Sequence, residues 1–225
     1  MSTTVAYIAL LTGVVVWIVL VSRFTAKPWE PIAGEAASEI MPGAAPARVG
    51  LWVFLAIVTS LFALFMSAYY MRMGHGHSTV HDWQPLAEPS VLWINTALLL
   101  GASVAMQWAR AQVTRGDPDR ARTGLLLGGL LTLAFLAGQL YAWRQLAEAG
   151  LFLPSNPAIA FFYLLTAVHG LHLLGGLFVW SRTLVRMRLK RVEPIDVRLS
   201  IELCTVYWHY LLLVWLALFA LLLST

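Results

Sequence analysis

Apolar residues occur in six long runs along the chain, and polar residues are concentrated between them. A helix that crosses the hydrocarbon core of a bilayer needs about 20 predominantly apolar residues, and each run approaches or reaches that length. The pattern therefore predicts an all-α polytopic membrane protein with six transmembrane helices. The predicted helices are Val5–Val21, Gly50–Met71, Val91–Ala109, Thr123–Trp143, Ala158–Trp180 and Ile201–Leu223.

Composition and charge agree with a membrane protein. The 225 residues are 60% hydrophobic and only 12% charged, whereas about a quarter of the residues of a soluble domain are charged. The net charge of +4 comes from basic residues between the runs, which is typical of membrane topology and not of nucleic-acid binding, so no nucleic-acid partner is expected. The single cysteine, Cys204, excludes an intrachain disulfide and a multi-cysteine metal cluster.

The distribution of lysine and arginine predicts the orientation. Basic residues are concentrated in the first, third and fifth loops, while the second and fourth loops carry Arg72 and Arg144 alone. Because cytoplasmic loops are enriched in Lys and Arg, we expect these three loops in the cytoplasm and both termini outside. The predicted parts are an N-terminal transmembrane helix in residues 1–22, a cytoplasmic linker in residues 23–49 and a five-helix bundle in residues 50–225.

The loop sequence HGHSTVH contains His75, His77 and His81. Three histidines at this spacing could bind copper or zinc. A polar loop near the membrane surface is the better interpretation, because a catalytic metal site would also need supporting hydrogen-bond partners. We therefore predict no metal site in this chain.

Several aromatic residues lie near the ends of the predicted helices. Tryptophan and tyrosine are enriched where membrane meets water. This position predicts an interfacial role for Trp52, Tyr69, Trp93, Trp143 and Trp180.

The fifth apolar run, Phe161–Trp180, contains a polar stripe. His169, His172 and Gly176 follow an i, i+3, i+7 spacing, which places them on one helical face. An imidazole that faced lipid would lack hydrogen-bond partners. This face should therefore contact protein or a lined cavity.

The last run repeats the spacing with Glu202, Thr205 and His209, and we expect the two stripes to dock on each other or on an adjacent helix. The carboxylate of Glu202 lies near the predicted helix start. Pairing with Arg198, contact with a water-filled entry and stabilisation by the helix dipole are all open interpretations.

The polar motifs together resemble subunit III of the haem-copper oxidases. The pattern T-x-x-H-G-x-H-x-x-x-G is followed by E-x4-Y-W-H, and the similarity extends from about Gly50 to the end of the chain. The motif and packing residues that carry it are Asn95, Thr96, Gln139, Thr166, His169, Gly170, His172, Gly176, Glu202, Tyr207, Trp208 and His209.

The resemblance implies a non-redox core subunit of a terminal oxidase in the bacterial inner membrane. Such a subunit has no catalytic, cofactor-binding or metal-binding residue, and haem and copper belong to partner subunits. It packs on subunit I beside subunit II and a small subunit IV, holds phospholipids in a cleft, and stabilises the proton-pumping subunit that reduces oxygen.

Basic residues near the fifth loop are candidates for binding anionic lipid headgroups, although membrane topology alone also explains them. Each basic residue near the surface contributes roughly 1 kcal/mol. The candidates are Arg182, Arg186, Arg188, Arg191 and Arg198.

Three positions depart from the usual pattern of the resembling family. Val58, Ala142 and Leu212 stand where an acidic residue is usual. This difference bears on the family's role in proton uptake and not on its role as a scaffold.

Alternative functions remain open on the sequence. A quinol oxidase or the accessory subunit of a nitric oxide reductase would carry a similar chain. A haem-b cytochrome would use His169, His172 and His209, but two histidines at i, i+3 cannot both bind one iron. A transporter is disfavoured, because inverted repeats and broken helices are not evident.

Overall fold

The computed structural model describes residues 44–75, 90–150, 157–188 and 194–223, which form five α-helices and no strand. The helices are α1 (Ala44–His75), α2 (Val91–Thr114), α3 (Pro118–Glu148), α4 (Pro157–Arg188) and α5 (Pro194–Leu223). All five are long and apolar enough to cross a membrane, which confirms the all-helical membrane class for the described residues. The predicted helix Val5–Val21, His77 and His81 lie outside them.

The helices extend beyond the apolar runs that predicted them. α1 begins at Ala44 and not at Gly50, so residues 44–49 of the predicted linker are helical. α4 continues to Arg188, and α5 begins at Pro194. Apolar length is limited by the bilayer core, whereas a helix continues into the polar interface until its backbone bonds end.

A tight turn connects α2 to α3. Gly116 has a φ of 80°, a backbone conformation that favours glycine. The Asp117 side chain then accepts a hydrogen bond of 3.0 Å from the backbone nitrogen of Arg120. Pro118 occupies the first turn of α3, where its missing N–H costs nothing. This turn makes α2 and α3 antiparallel neighbours.

The chain divides into two units after Phe54, and the second unit is Leu55–Thr225. In this unit α2 contacts α3, α3 contacts α4, α4 contacts α5, and α5 contacts α2. The four helices therefore form a closed ring.

The part of α1 from Leu55 onward packs on α4 and α5 through large side chains. Its Val58, Phe62 and Tyr69 are at most 3% exposed and share a cluster with residues such as Leu165 and Leu218. The Tyr69 ring therefore packs on a neighbouring helix, a contact that its predicted interfacial position does not reveal.

One polar contact accompanies this apolar cluster. The hydroxyl groups of Thr59 and Tyr210 lie 3.0 Å apart, which joins α1 to α5 by a hydrogen bond.

Glycines allow α3 to approach its two neighbours closely. A Cβ on Gly128 would lie 2.8 Å from the Met106 side chain of α2, and one on Gly129 would lie 2.1 Å from the Trp180 ring of α4. The Trp180 indole lies on this bare backbone and donates a hydrogen bond of 2.8 Å to the Leu125 carbonyl. Trp180 therefore joins two helices, a function that its predicted interfacial position does not reveal.

We expect Gly129→Ala to destabilise the bundle, because the added Cβ would displace the Trp180 indole from its contact with α3. Overpacking of this kind costs about 1–3 kcal/mol in free energy of unfolding. Thermal unfolding of the purified complex measures the effect. Gly175→Ala is the matched control, since a Cβ there meets nothing within 4 Å. Equal melting temperatures for the two variants would contradict this description of the contact.

Candidate functional site

His169 lies in the centre of the helix ring and is fully buried. Its Nε2 donates a hydrogen bond of 3.1 Å to the backbone carbonyl of Leu211 on α5. The rings of Phe135 and Trp215 lie on either side, with centroid distances of 5.7 Å and 5.3 Å. The side chain is thus enclosed by protein, and the nitrogen nearest α5 is committed to a helix–helix contact.

His172 and Gly176 complete the contact of α4 with α5. The His172 Nδ1 donates 2.7 Å to the Val168 carbonyl of its own helix, and the His172 carbonyl accepts 2.9 Å from the Tyr207 hydroxyl. A Cβ on Gly176 would lie 2.7 Å from the Tyr207 ring. The first polar stripe therefore docks on the adjacent helix α5.

The second stripe faces a different neighbour, α2. Thr205 donates 3.2 Å to the Met106 carbonyl. His209 donates 3.2 Å from Nε2 to the Gln107 side-chain oxygen, which leaves its Nδ1 to accept from the Ser103 hydroxyl. Of the two expected arrangements, the structure has docking on adjacent helices and not of the stripes on each other. Spacing identifies residues that share a face and not the helix that covers them.

Glu202 belongs to the same contact with α2. Its carboxylate lies 3.6 Å from the Arg110 guanidinium. The interpretation based on the helix dipole is wrong, because α5 begins at Pro194 and the dipole acts within the first turn. Arg110 of α2 is thus a partner of this carboxylate.

The two stripes also exclude one arrangement of haem ligands. His169 bonds to α5 with its Nε2, whereas His209 bonds to Ser103 and Gln107 of α2. Axial histidines must direct free nitrogens at one iron from opposite sides. His169 and His209 are directed at different neighbours and do not form such a pair.

Three tryptophan–threonine pairs tie the ring together. Each indole N–H donates to a threonine hydroxyl, and the same hydroxyl donates to a backbone carbonyl in its own helix. Each threonine therefore satisfies one carbonyl and one indole at once. The pairs are Trp215 with Thr96 at 3.0 Å, Trp208 with Thr132 at 2.8 Å, and Trp143 with Thr166 at 3.0 Å.

These pairs connect α5 to α2, α5 to α3, and α3 to α4. Sequence reasoning missed Thr132 and assigned Trp143 to the membrane interface. The sequence signal for such a pair is a threonine inside one apolar run at the same depth as a tryptophan in another run.

Asn95 and Gln139 form a further buried contact between α2 and α3. The Asn95 side-chain nitrogen donates 3.3 Å to the Gln139 side-chain oxygen. Both are at most 4% exposed. This hydrogen bond joins α2 to α3.

Three of the arginines predicted to bind lipid lie at one end of the ring. Arg182 and Arg186 are exposed on α4, and Arg198 is exposed on α5. The side chains of Arg188 and Arg191 are outside the described part of the chain. Within that part, no group of three or more His, Cys, Asp or Glu residues could hold a metal ion.

The arrangement of polar residues agrees with a comparison to known families. The family model for cytochrome c oxidase subunit III matches residues 2–224. The chain belongs to this family.

Curated relatives carry the same family name. A probable cytochrome c oxidase subunit 3 of Mycobacterium tuberculosis (strain ATCC 25618 / H37Rv) is 32% identical over 168 residues, which cover 73% of this chain and 79% of the relative. The cytochrome c oxidase subunit 3 of Corynebacterium diphtheriae is 30% identical, covering 76% and 84%. That of Synechocystis is 28% identical, covering 76% and 72%.

Within this subunit III family member, the three positions at which we expect an acid in relatives are apolar and at least half-buried. Val58 is 2% exposed in the cluster of α1 with α4 and α5, and Ala142 is fully buried in α3. Leu212 is half-buried on α5. Apolar neighbours at Val58 would penalise a charged carboxylate heavily.

We expect Thr132→Val to destabilise the complex, because it leaves the fully buried Trp208 indole N–H without an acceptor. An orphaned buried donor costs about 1–3 kcal/mol in free energy of unfolding. Thr123→Val makes the same chemical change at an exposed threonine that bonds only within its helix. A thermal unfolding midpoint for Thr132→Val that matches Thr123→Val would show that the indole has another partner.

Proposed function

We propose that the chain acts as the non-redox core subunit III of a cytochrome c oxidase in a bacterial inner membrane, packing on subunit I. The observation that carries this proposal is the use of the family-motif side chains in helix–helix contacts. His169 bonds to the Leu211 carbonyl, and Trp208 bonds to Thr132. Side chains used in this way supply rigidity, and the redox chemistry then belongs to partner subunits that hold haem and copper.

Phospholipid binding is part of the same proposal. Arg182 and Arg186 lie one helical turn apart on α4 and are exposed, and Arg198 is exposed at the corresponding end of α5. Cations at the end of a membrane helix attract anionic headgroups. A scaffold that binds annular lipid in this way would stabilise the oxygen-reducing, proton-pumping subunit during turnover.

Purification through an affinity tag on this chain tests the proposal. We expect oxidase subunits I and II to copurify, with a small subunit IV as a further partner. A dinuclear copper site in the copurified subunit II selects cytochrome c as electron donor, and its absence selects quinol. Copurification of nitric oxide reductase subunits, or a b-type haemochrome spectrum from the isolated chain, would contradict the proposal.

We expect Glu202→Gln to leave assembly and proton pumping unchanged. The amide keeps the volume and can still accept a hydrogen bond from Arg110, which lies 3.6 Å from the carboxylate. The usual acids are also missing at Val58, Ala142 and Leu212. The proton-to-electron ratio of reconstituted oxidase is the measurement, and loss of most pumping in an intact complex would refute the expectation.

A further inference from the structure

Polar side chains lie on the outer surface of the bundle at the middle of the membrane. His209 and Gln107 are both exposed, although they bond to each other across α5 and α2. His209 has about 21 Å of helix on each side, at 1.5 Å per residue. It therefore lies near the centre of a hydrocarbon layer about 30 Å thick.

Apolar side chains surround this polar pair on the same two helical faces. Leu100 and Val104 precede Gln107 on α2 with exposures of 44% and 68%, and Leu213 and Leu216 follow His209 on α5 with 65% and 43%. The spacings are those of single helical faces. We call these six residues the Gln107–His209 face.

The hydrogen bonds of the pair use the oxygen of the exposed Gln107 side chain and leave its amide nitrogen as a donor group. Both ring nitrogens of His209 are used, by Ser103 and by the side-chain oxygen of Gln107. Among the described residues, none accepts a hydrogen bond from the Gln107 amide nitrogen. A lipid phosphate does not reach this depth, and an amide N–H in hydrocarbon without a partner costs several kcal/mol on transfer scales.

We propose that the Gln107–His209 face docks a transmembrane helix of another oxidase subunit, which presents a carbonyl or side-chain oxygen to the Gln107 amide near the membrane centre. This inference rests on the proposed function and adds the contact surface and its chemistry. Apolar contacts at Val104 and Leu213 would flank the hydrogen bond. An acceptor is needed because none of the described residues accepts a hydrogen bond from the Gln107 amide nitrogen.

Tryptophan substitution distinguishes a docked face from one that faces lipid. Lipid chains accommodate a larger side chain, whereas a packed helix interface does not. We expect Val104→Trp and Leu213→Trp each to lower the ratio of this chain to its partner by about tenfold when the complex is purified through a tag on the partner. Leu130→Trp, at a site on α3 that is 61% exposed, is the matched control and should copurify like the wild type.

A second variant tests the hydrogen bond itself. Gln107→Leu should lower the same ratio about threefold, the effect of one hydrogen bond between membrane helices. Gln145→Leu, at an exposed glutamine of α3, should leave it unchanged. The amount of each variant in the membrane fraction, measured before purification, normalises the ratios for folding.

A photocrosslinker placed at residue 104 identifies the occupant. Capture of another oxidase subunit supports the proposal, whereas capture of a second copy of this chain or of lipid alone overturns it. The proposal is also overturned if Val104→Trp copurifies with the partner as well as the wild type does. It is overturned too if Val104→Trp and Leu130→Trp lower the ratio of this chain to its partner equally. If the wild-type chain brings down no oxidase subunit, the proposed function itself fails, and the two failures are therefore distinguishable.

Discussion

The helix ring depends on hydrogen bonds that satisfy large polar-tipped side chains where no water is available. Trp208, Trp215 and Trp143 each place an indole N–H on a threonine hydroxyl of a neighbouring helix. In lipid the hydrophobic effect does not hold helices together, so packing and such bonds must do so. The pairs fix both the depth and the rotation of each helix, because one donor must meet one acceptor.

The same requirement explains the histidine motif. His169 lies between Phe135 and Trp215, and its Nε2 donates to the Leu211 carbonyl, whereas its Nδ1 has no hydrogen-bond partner in the described part of the chain. That bond in turn brings α4 against α5, where Gly176 leaves room for the Tyr207 ring. A motif that looks like a ligand set in the sequence is therefore consistent with a set of contacts that locks two helices together.

Sequence patterns predicted the five described helices because apolar length is a property of each segment alone. They also predicted correctly that His169, His172 and Gly176 share a face. The neighbour of Glu202, Thr205 and His209 could not be predicted, since α2 and α4 are both adjacent to α5. The helix contacts of Trp143 and Tyr69 could not be predicted either, because a position near a helix end does not show which neighbouring helix the side chain meets.

Polar groups inside the ring and on its outer surface have different consequences for assembly. Thr205 bonds to the Met106 carbonyl, and Trp208 bonds to Thr132, so these side chains are already used within the chain. Gln107 lies on the outside with its oxygen occupied by His209. The Gln107 side chain is exposed, and none of the described residues accepts a hydrogen bond from its amide nitrogen, so a group from outside the ring is free to do so. Folding of this chain and the docking proposed for the Gln107–His209 face thus use different polar groups.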